Sequence, residues 1–305
     1  MLRPFAFLLI ALAAAPAVAQ APAAAPAVAQ APAAAFTSER IGVTVTGSGP
    51  DVILIPGLSS SPEVWHGTIA AVPGYRYHLI HVSGFAGRPA GANASGPVLA
   101  PVAEEIARYI RESRLDRPAI VGHSMGGSWA VMVAARHPGL VSKVMVIDMM
   151  PYLGAMFRQP GMTDEQFAAA ANNMRTMMSG SGGEQRRIQT NSMIASMVRT
   201  EAARAAIVAH SMASDRAVSS QGFYDLIVTN LMPDVATIRV PMLVLYVQPT
   251  GAPLTPEQID NYFRISYRGA AQAVVRRVPD SAHFIMIDQP AVFQDALKGF
   301  LAPAP

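Results

Sequence analysis

The chain of 305 residues is expected to fold as an α/β protein, built on a doubly wound, mostly parallel sheet. Three observations carry this expectation. Short apolar runs at 51–55, 77–82, 119–121, 143–148 and 241–247 alternate with helix-like stretches, as strands buried on both faces do when helices cross over between them. At 119–127 such a run enters Gly122-His123-Ser124-Met125-Gly126, and an apolar helical stretch, 128–135, follows at once. Hydrophobic residues make up 51% of the chain and charged residues 14%, enough apolar material for one large domain with a sizeable core.

The chain opens with a charged start, Arg3, and an apolar stretch, 5–12, followed by Ala17-Val18-Ala19. This is the layout of a secretory signal peptide over 1–19, and Pro16 breaks an apolar stretch already short for a membrane span. A periplasmic or secreted protein without stable membrane insertion after cleavage is expected. Residues 13–22 recur letter for letter at 23–32. Such an Ala/Pro repeat buries no face, so 20–35 reads as a linker. Ala27-Val28-Ala29 offers an alternative cleavage point.

Residues 40–46 alternate and are β-branched, which predicts the first strand. The second, 51–55, leaves into Pro56-Gly57-Leu58-Ser59. Strand 77–82 carries His81, read as a structural side chain, and 98–113 is an amphipathic helix with Val102, Ile106 and Ile110 on one face. Residues 151–235 change character: helix-like stretches at 163–178, 184–199 and 201–213 carry most of eight methionines, Met156, Met162, Met174, Met177, Met178, Met193, Met197 and Met212. After strand 241–247, Thr255 caps a helix with Pro256 in its first turn. A last strand, 271–278, precedes Asp280, His283 and Asp288, the last read as the N-cap of the final helix.

Several classes are excluded. A formal charge of +3, with Lys143 and Lys298 as the lysines, offers no basic run for nucleic acid. The absence of cysteine removes a thiol nucleophile, disulfides and thiolate metal sites. No His and carboxylate cluster has metal-ligand spacing, and Gly47-Ser48-Gly49 lacks the third glycine and helix of a dinucleotide loop. No metal and no cofactor are expected.

Gly-x-Ser-x-Gly between strand and helix is a nucleophile elbow: the serine sits on a strained turn, and the glycines let strand and helix pass close to it. The segment resembles the elbow of the α/β-hydrolase superfamily, in a serine esterase- or lipase-like member, and the similarity extends over roughly 40–302 except for 151–235. That resemblance implies a core of 36–150 and 236–305 and a helical cap at 151–235. It implies Ser124 as nucleophile, His283 as base, and the backbone N–H groups of Leu58 and Met125 as the oxyanion hole. Relatives commonly have His-Gly where this chain has Pro56-Gly57. Their usual acid position, after strand 241–247, falls on Thr250. A second placement, at the end of the strand following the elbow helix, falls on Asp148, with Asp280 as the runner-up. In the cap, roughly two or three methionines are expected to face substrate, since their flexible side chains suit a malleable apolar pocket. The expected activity is hydrolysis of a small-molecule ester or related acyl substrate. Lactonase, amidase or peptidase and carbon–carbon hydrolase activities, and a non-catalytic binding protein, remain open, because fold and triad do not fix the substrate.

Overall fold

The computed structural model describes residues 36–180, 182–249 and 254–303. The signal peptide and linker expected at 1–35, and Thr250, lie outside the described residues. Among these residues seven strands form one sheet: β1 (Ile41–Gly47), β2 (Asp51–Ile55), β3 (Arg76–Val82), β4 (Ala119–His123), β5 (Lys143–Ile147), β6 (Met242–Tyr246) and β7 (Ala273–Arg277). Their order is β1-β3-β2-β4-β5-β6-β7. β1 runs antiparallel to β3, and the remaining neighbours are parallel.

Helices α1 (His66–Ala71), α2 (Leu99–Glu112) and α3 (Met125–Arg136) connect the first five strands. Five more lie between β5 and β6: α4 (Asp164–Gly180), α5 (Gly183–Met197), α6 (Glu201–Ala213), α7 (Arg216–Val228) and α8 (Met232–Val235). The chain then adds α9 (Pro256–Tyr267), α10 (Ile285–Asp288) and α11 (Pro290–Leu301). Thr255 caps α9 as expected, in a reciprocal capping box with Gln258.

Successive side chains of the buried strands go to opposite faces. Ile53, Ile55, Ile120, Val144, Val146 and Val244 pack with α2, α3 and α9, while Val52, Leu54, Val121, Met145, Ile147 and Leu245 pack with α11 and the Val64–Trp65 segment. Two apolar faces per strand explain why these strands read as unbroken apolar runs.

Helix α7 has little helical signal in its sequence, which holds Ser219, Ser220 and Gly222. Tertiary contacts fix it. A Cβ on Gly222 would come within 3.1 Å of the Leu58 side chain and 3.2 Å of the Met125 side chain. The buried Asp225 carboxylate accepts the N–H groups of Val98 at 2.6 Å and Leu99 at 2.9 Å, satisfying orphan donors at the start of α2. The helical segment is thereby bolted to the sheet layer beneath it.

Candidate active site

Strand connection runs outward in opposite directions from β2 and β4, so the loops leaving those two strands diverge and open a crevice at their carboxyl ends. Ser124 lies there, at the end of β4. Its φ of 53° and ψ of −126° are strained for an L-residue. The surroundings hold that conformation: Ser124 N–H donates to Ile147 O at 2.8 Å, and Gly127 N–H donates to Ser124 O at 2.7 Å. A Cβ on Gly122 would collide with the carbonyl of Gly126, and one on Gly126 with the carbonyl of Ile55. Both elbow glycines are therefore required by close approach. Among the described residues no hydrogen bond joins Ser124 to His283.

His283 Nδ1 lies 2.6 Å from Asp148 Oδ2. The two side chains keep 20% and 12% of their surface exposed. Asp148 follows β5 at a φ of 48°. Its N–H donates to Leu245 O at 2.7 Å, and its Oδ1 accepts Val247 N–H at 3.0 Å. The carboxylate thus reaches across to the end of β6, where the acid of relatives was expected, and is held by backbone there. Tyr267, its hydroxyl pKa raised by burial, donates to Met149 O at 2.7 Å and secures the next residue. The Asp280 side chain is 86% exposed, with Arg199 at 4.0 Å.

Two side chains at the site have roles that the sequence reading did not assign. His123 packs on His283. Its ring centroid is 4.6 Å from that of His283 and 4.6 Å from that of Phe284, and its Nε2–H donates to His283 O at 3.0 Å. Complete burial, aided by the neighbouring His283, holds its pKa well below the usual value, so the ring is neutral. Asp288 is not the N-cap of α11; Gln289 occupies that position. The Asp288 carboxylate instead accepts Ala282 N–H at 2.9 Å, Arg199 N–H at 3.0 Å and Thr200 N–H at 2.8 Å. It joins the loop carrying His283 to the junction of α5 and α6. Nothing local in the sequence signals that junction, because the partners are backbone groups about ninety residues away. His81 is structural, with Nε2 at 2.9 Å from Phe85 O.

Above Ser124 the cavity has a volume of about 750 Å³. Gly57 lies against the elbow, since a Cβ there would sit 2.9 Å from Ser124 Cβ; this brings Leu58 beside Ser124. Met125 is the first residue of α3, so its N–H has no partner within the helix. Met156, Met178, Met193 and Met197 line the cavity, along with Met149 and Met150. This exceeds the two or three expected from the cap, because α4 and α5 both turn methionines inward. Met162 and Met174 pack instead on Phe167, Ala171 and Ile227.

Comparison with known proteins agrees with this architecture. The profile of the alpha/beta hydrolase family matches residues 52–296. A putative carbamate hydrolase of Yersinia enterocolitica is 31% identical over 109 residues, 35% of this chain and 39% of that protein. The chain thus spans about two fifths of that relative. A pimeloyl-(acyl-carrier protein) methyl ester esterase of Edwardsiella ictaluri is 25% identical over 251 residues, 82% of this chain and 92% of that protein. Among solved structures, an esterase from Exiguobacterium antarcticum superposes with a TM-score of 0.71 at 17% identity, covering 85% of this chain and 94% of that one. The enol-lactonase from Burkholderia xenovorans superposes with a TM-score of 0.68 at 18% identity, covering 86% and 96%. At such identities the two structures bear on the fold alone.

Proposed function

Because the chain belongs to the alpha/beta hydrolase family, we propose that it is a serine hydrolase that cleaves carboxylic esters through an acyl-enzyme on Ser124. One observation carries the reading: His283 is bonded to the Asp148 carboxylate at 2.6 Å in the same cavity that the strained Ser124 lines. A serine hydroxyl is a weak nucleophile until a base takes its proton, and the base needs a carboxylate to hold its tautomer and balance the imidazolium.

In this reaction Ser124 Oγ attacks the acyl carbon while its proton passes to His283 Nε2. The N–H groups of Leu58 and Met125 hold the oxyanion of the tetrahedral intermediate. His283 then gives its proton to the departing alkoxide oxygen, leaving an ester on Ser124. Water, deprotonated by His283, attacks that ester; the acid leaves, and Ser124 recovers its proton. Asp148 stays ionised throughout. An ester hydrolase among the relatives, aligned over 92% of its length, supports an ester over other acyl groups. The leader pattern at 1–19 supports action outside the cytoplasm.

A fluorophosphonate probe tests the mechanism. Labelling that maps to Ser124 and vanishes in Ser124→Ala is expected; folded protein that takes no label would instead be a binding protein. Turnover of short p-nitrophenyl esters, compared with lactones and aminoacyl anilides, tests the substrate class.

A further inference from the structure

One face of α5 runs along the cavity: Arg186, Thr190, Met193, Ile194 and Met197 all line it. The spacing of three and four residues is that of a single helical face. Its chemistry changes from end to end. Met197 stands beside the base, since its carbonyl accepts Phe284 N–H at 3.3 Å. Arg186 stands three turns away, about 16 Å along the axis.

Arg186 is held rigidly and only half used. Its Nη2 donates to Ser211 O at 2.7 Å and Ser214 O at 3.1 Å, carbonyls at the end of α6. Nε and Nη1 have no partner among the described residues. The guanidinium is partly buried, and that burial, with the nearby charge of Arg216, pulls its pKa below the usual value against the attraction of Asp215. It remains a cation at neutral pH. Among the described side chains lining the cavity, Arg186 and Arg216 are the arginines, and Asp148, committed to His283, is the carboxylate. A partly desolvated cation facing an apolar cavity is stabilised when an anion meets it.

The leaving alcohol must sit by His283, which protonates it, so the acyl chain extends the other way along α5. We propose that the enzyme selects esters of aliphatic acids carrying a carboxylate at the far end of the acyl chain, the alkyl part lying on Met193 and Met197 and the carboxylate on Arg186. This rests on the ester-hydrolase reading of the same site.

The test pairs monomethyl adipate, suberate and sebacate with methyl hexanoate, octanoate and decanoate, and reads the ratio of kcat/KM, anionic over neutral, at each length. In the wild type the ratio exceeds one for at least one length. In Arg186→Gln that ratio falls by about 10- to 100-fold, the loss expected for hydrogen bonds to a charged group; Arg186→Lys keeps part of it. If Arg186 only clasps the end of α6, both esters suffer together and the ratio stays put, which overturns the proposal. A wild-type ratio below one at every length does the same. Should Arg186→Gln not fold, Arg186→Lys and the salt dependence of the wild-type ratio decide, since high salt must lower it. If no ester is turned over at all, the ester-hydrolase reading fails separately. Calorimetric titration of Ser124→Ala with monomethyl suberate and methyl octanoate then still decides: tighter binding of the anion supports the proposal, and equal or no binding overturns it.

Discussion

His283 Nδ1 and Asp148 Oδ2 stand 2.6 Å apart although 135 positions separate them in the chain. Asp148 belongs to the end of β5, and its other carboxylate oxygen takes the N–H of Val247 just beyond β6. One carboxylate at the end of β5 thus spans both the start of the segment after β6 and the imidazole of His283.

Asp148→Asn should keep the fold and lower kcat by up to about 10⁴-fold, because an amide cannot hold the required tautomer or balance the imidazolium. Asp280→Asn should cost far less, its side chain being 86% exposed and clear of His283. Steady-state turnover of a p-nitrophenyl ester, with circular dichroism to verify folding, checks both; near-normal turnover of Asp148→Asn would remove it from the triad.

Asp288 links the base loop to the α5–α6 junction through three backbone N–H groups. Burial acts to raise its pKa, but those hydrogen bonds outweigh it, and the net value is lowered from 3.8. A carboxylate with a lowered folded pKa stabilises the protein above its unfolded pKa, and that contribution is lost as pH falls through the folded value. Asp288→Asn should therefore be less stable than wild type at pH 7, with the gap closing below about pH 4. Urea unfolding at the two pH values measures this, and a gap independent of pH would exclude the ionic contribution.

His123 is buried and neutral, its pKa lowered well below 6.5. The unfolded chain takes up a proton there as pH drops and the folded protein does not, so stability is lost as pH falls below the unfolded value. Burial lowers the pKa of His78 and His81 too. His123→Phe keeps a ring between His283 and Phe284 but removes one titrating group. The slope of unfolding free energy between pH 4 and 6 should shrink by up to about 1.4 kcal/mol per pH unit. The carbonyl of His283 loses its donor, so kcat should drop by about tenfold while KM changes less. An unchanged slope and kcat would assign His123 to packing alone.

Export is tested by N-terminal sequencing of protein recovered outside the cytoplasm. The expected first residue is Gln20, or Gln30 if the second Ala-Val-Ala is used. A chain still starting at Met1 would exclude cleavage.

Much of the site was legible in the sequence because its signals are local. Gly122, Ser124 and Gly126 mark a turn that tolerates no Cβ at its two flanks, and α3 follows directly. The apolar runs marked the buried strands. Asp148 was legible only as a position at a strand end. Helix α7 was missed since Gly222 and its serines argue against helix, and packing on Leu58 and Met125 overrides that preference. Four of the eight methionines singled out between β5 and β6 face the cavity, which the helical period could not apportion without knowing where α4 and α5 lie.

The sequence by itself determined which runs are buried on two faces, where the elbow turns, which serine stands at a strand end and which histidine follows the last strand. These follow from side-chain volume, periodicity and glycine sterics, all effective within about ten residues. Tertiary structure alone decided which carboxylate meets His283, that Asp288 ties the loop carrying His283 to the α5–α6 junction, that His123 supports His283, and that Arg186 faces the cavity with Nε and Nη1 unpartnered among the described residues. Each of these is a hydrogen bond or a cavity wall formed between distant segments. Their geometry depends on how helices seat on the sheet, and no local pattern of residues encodes it.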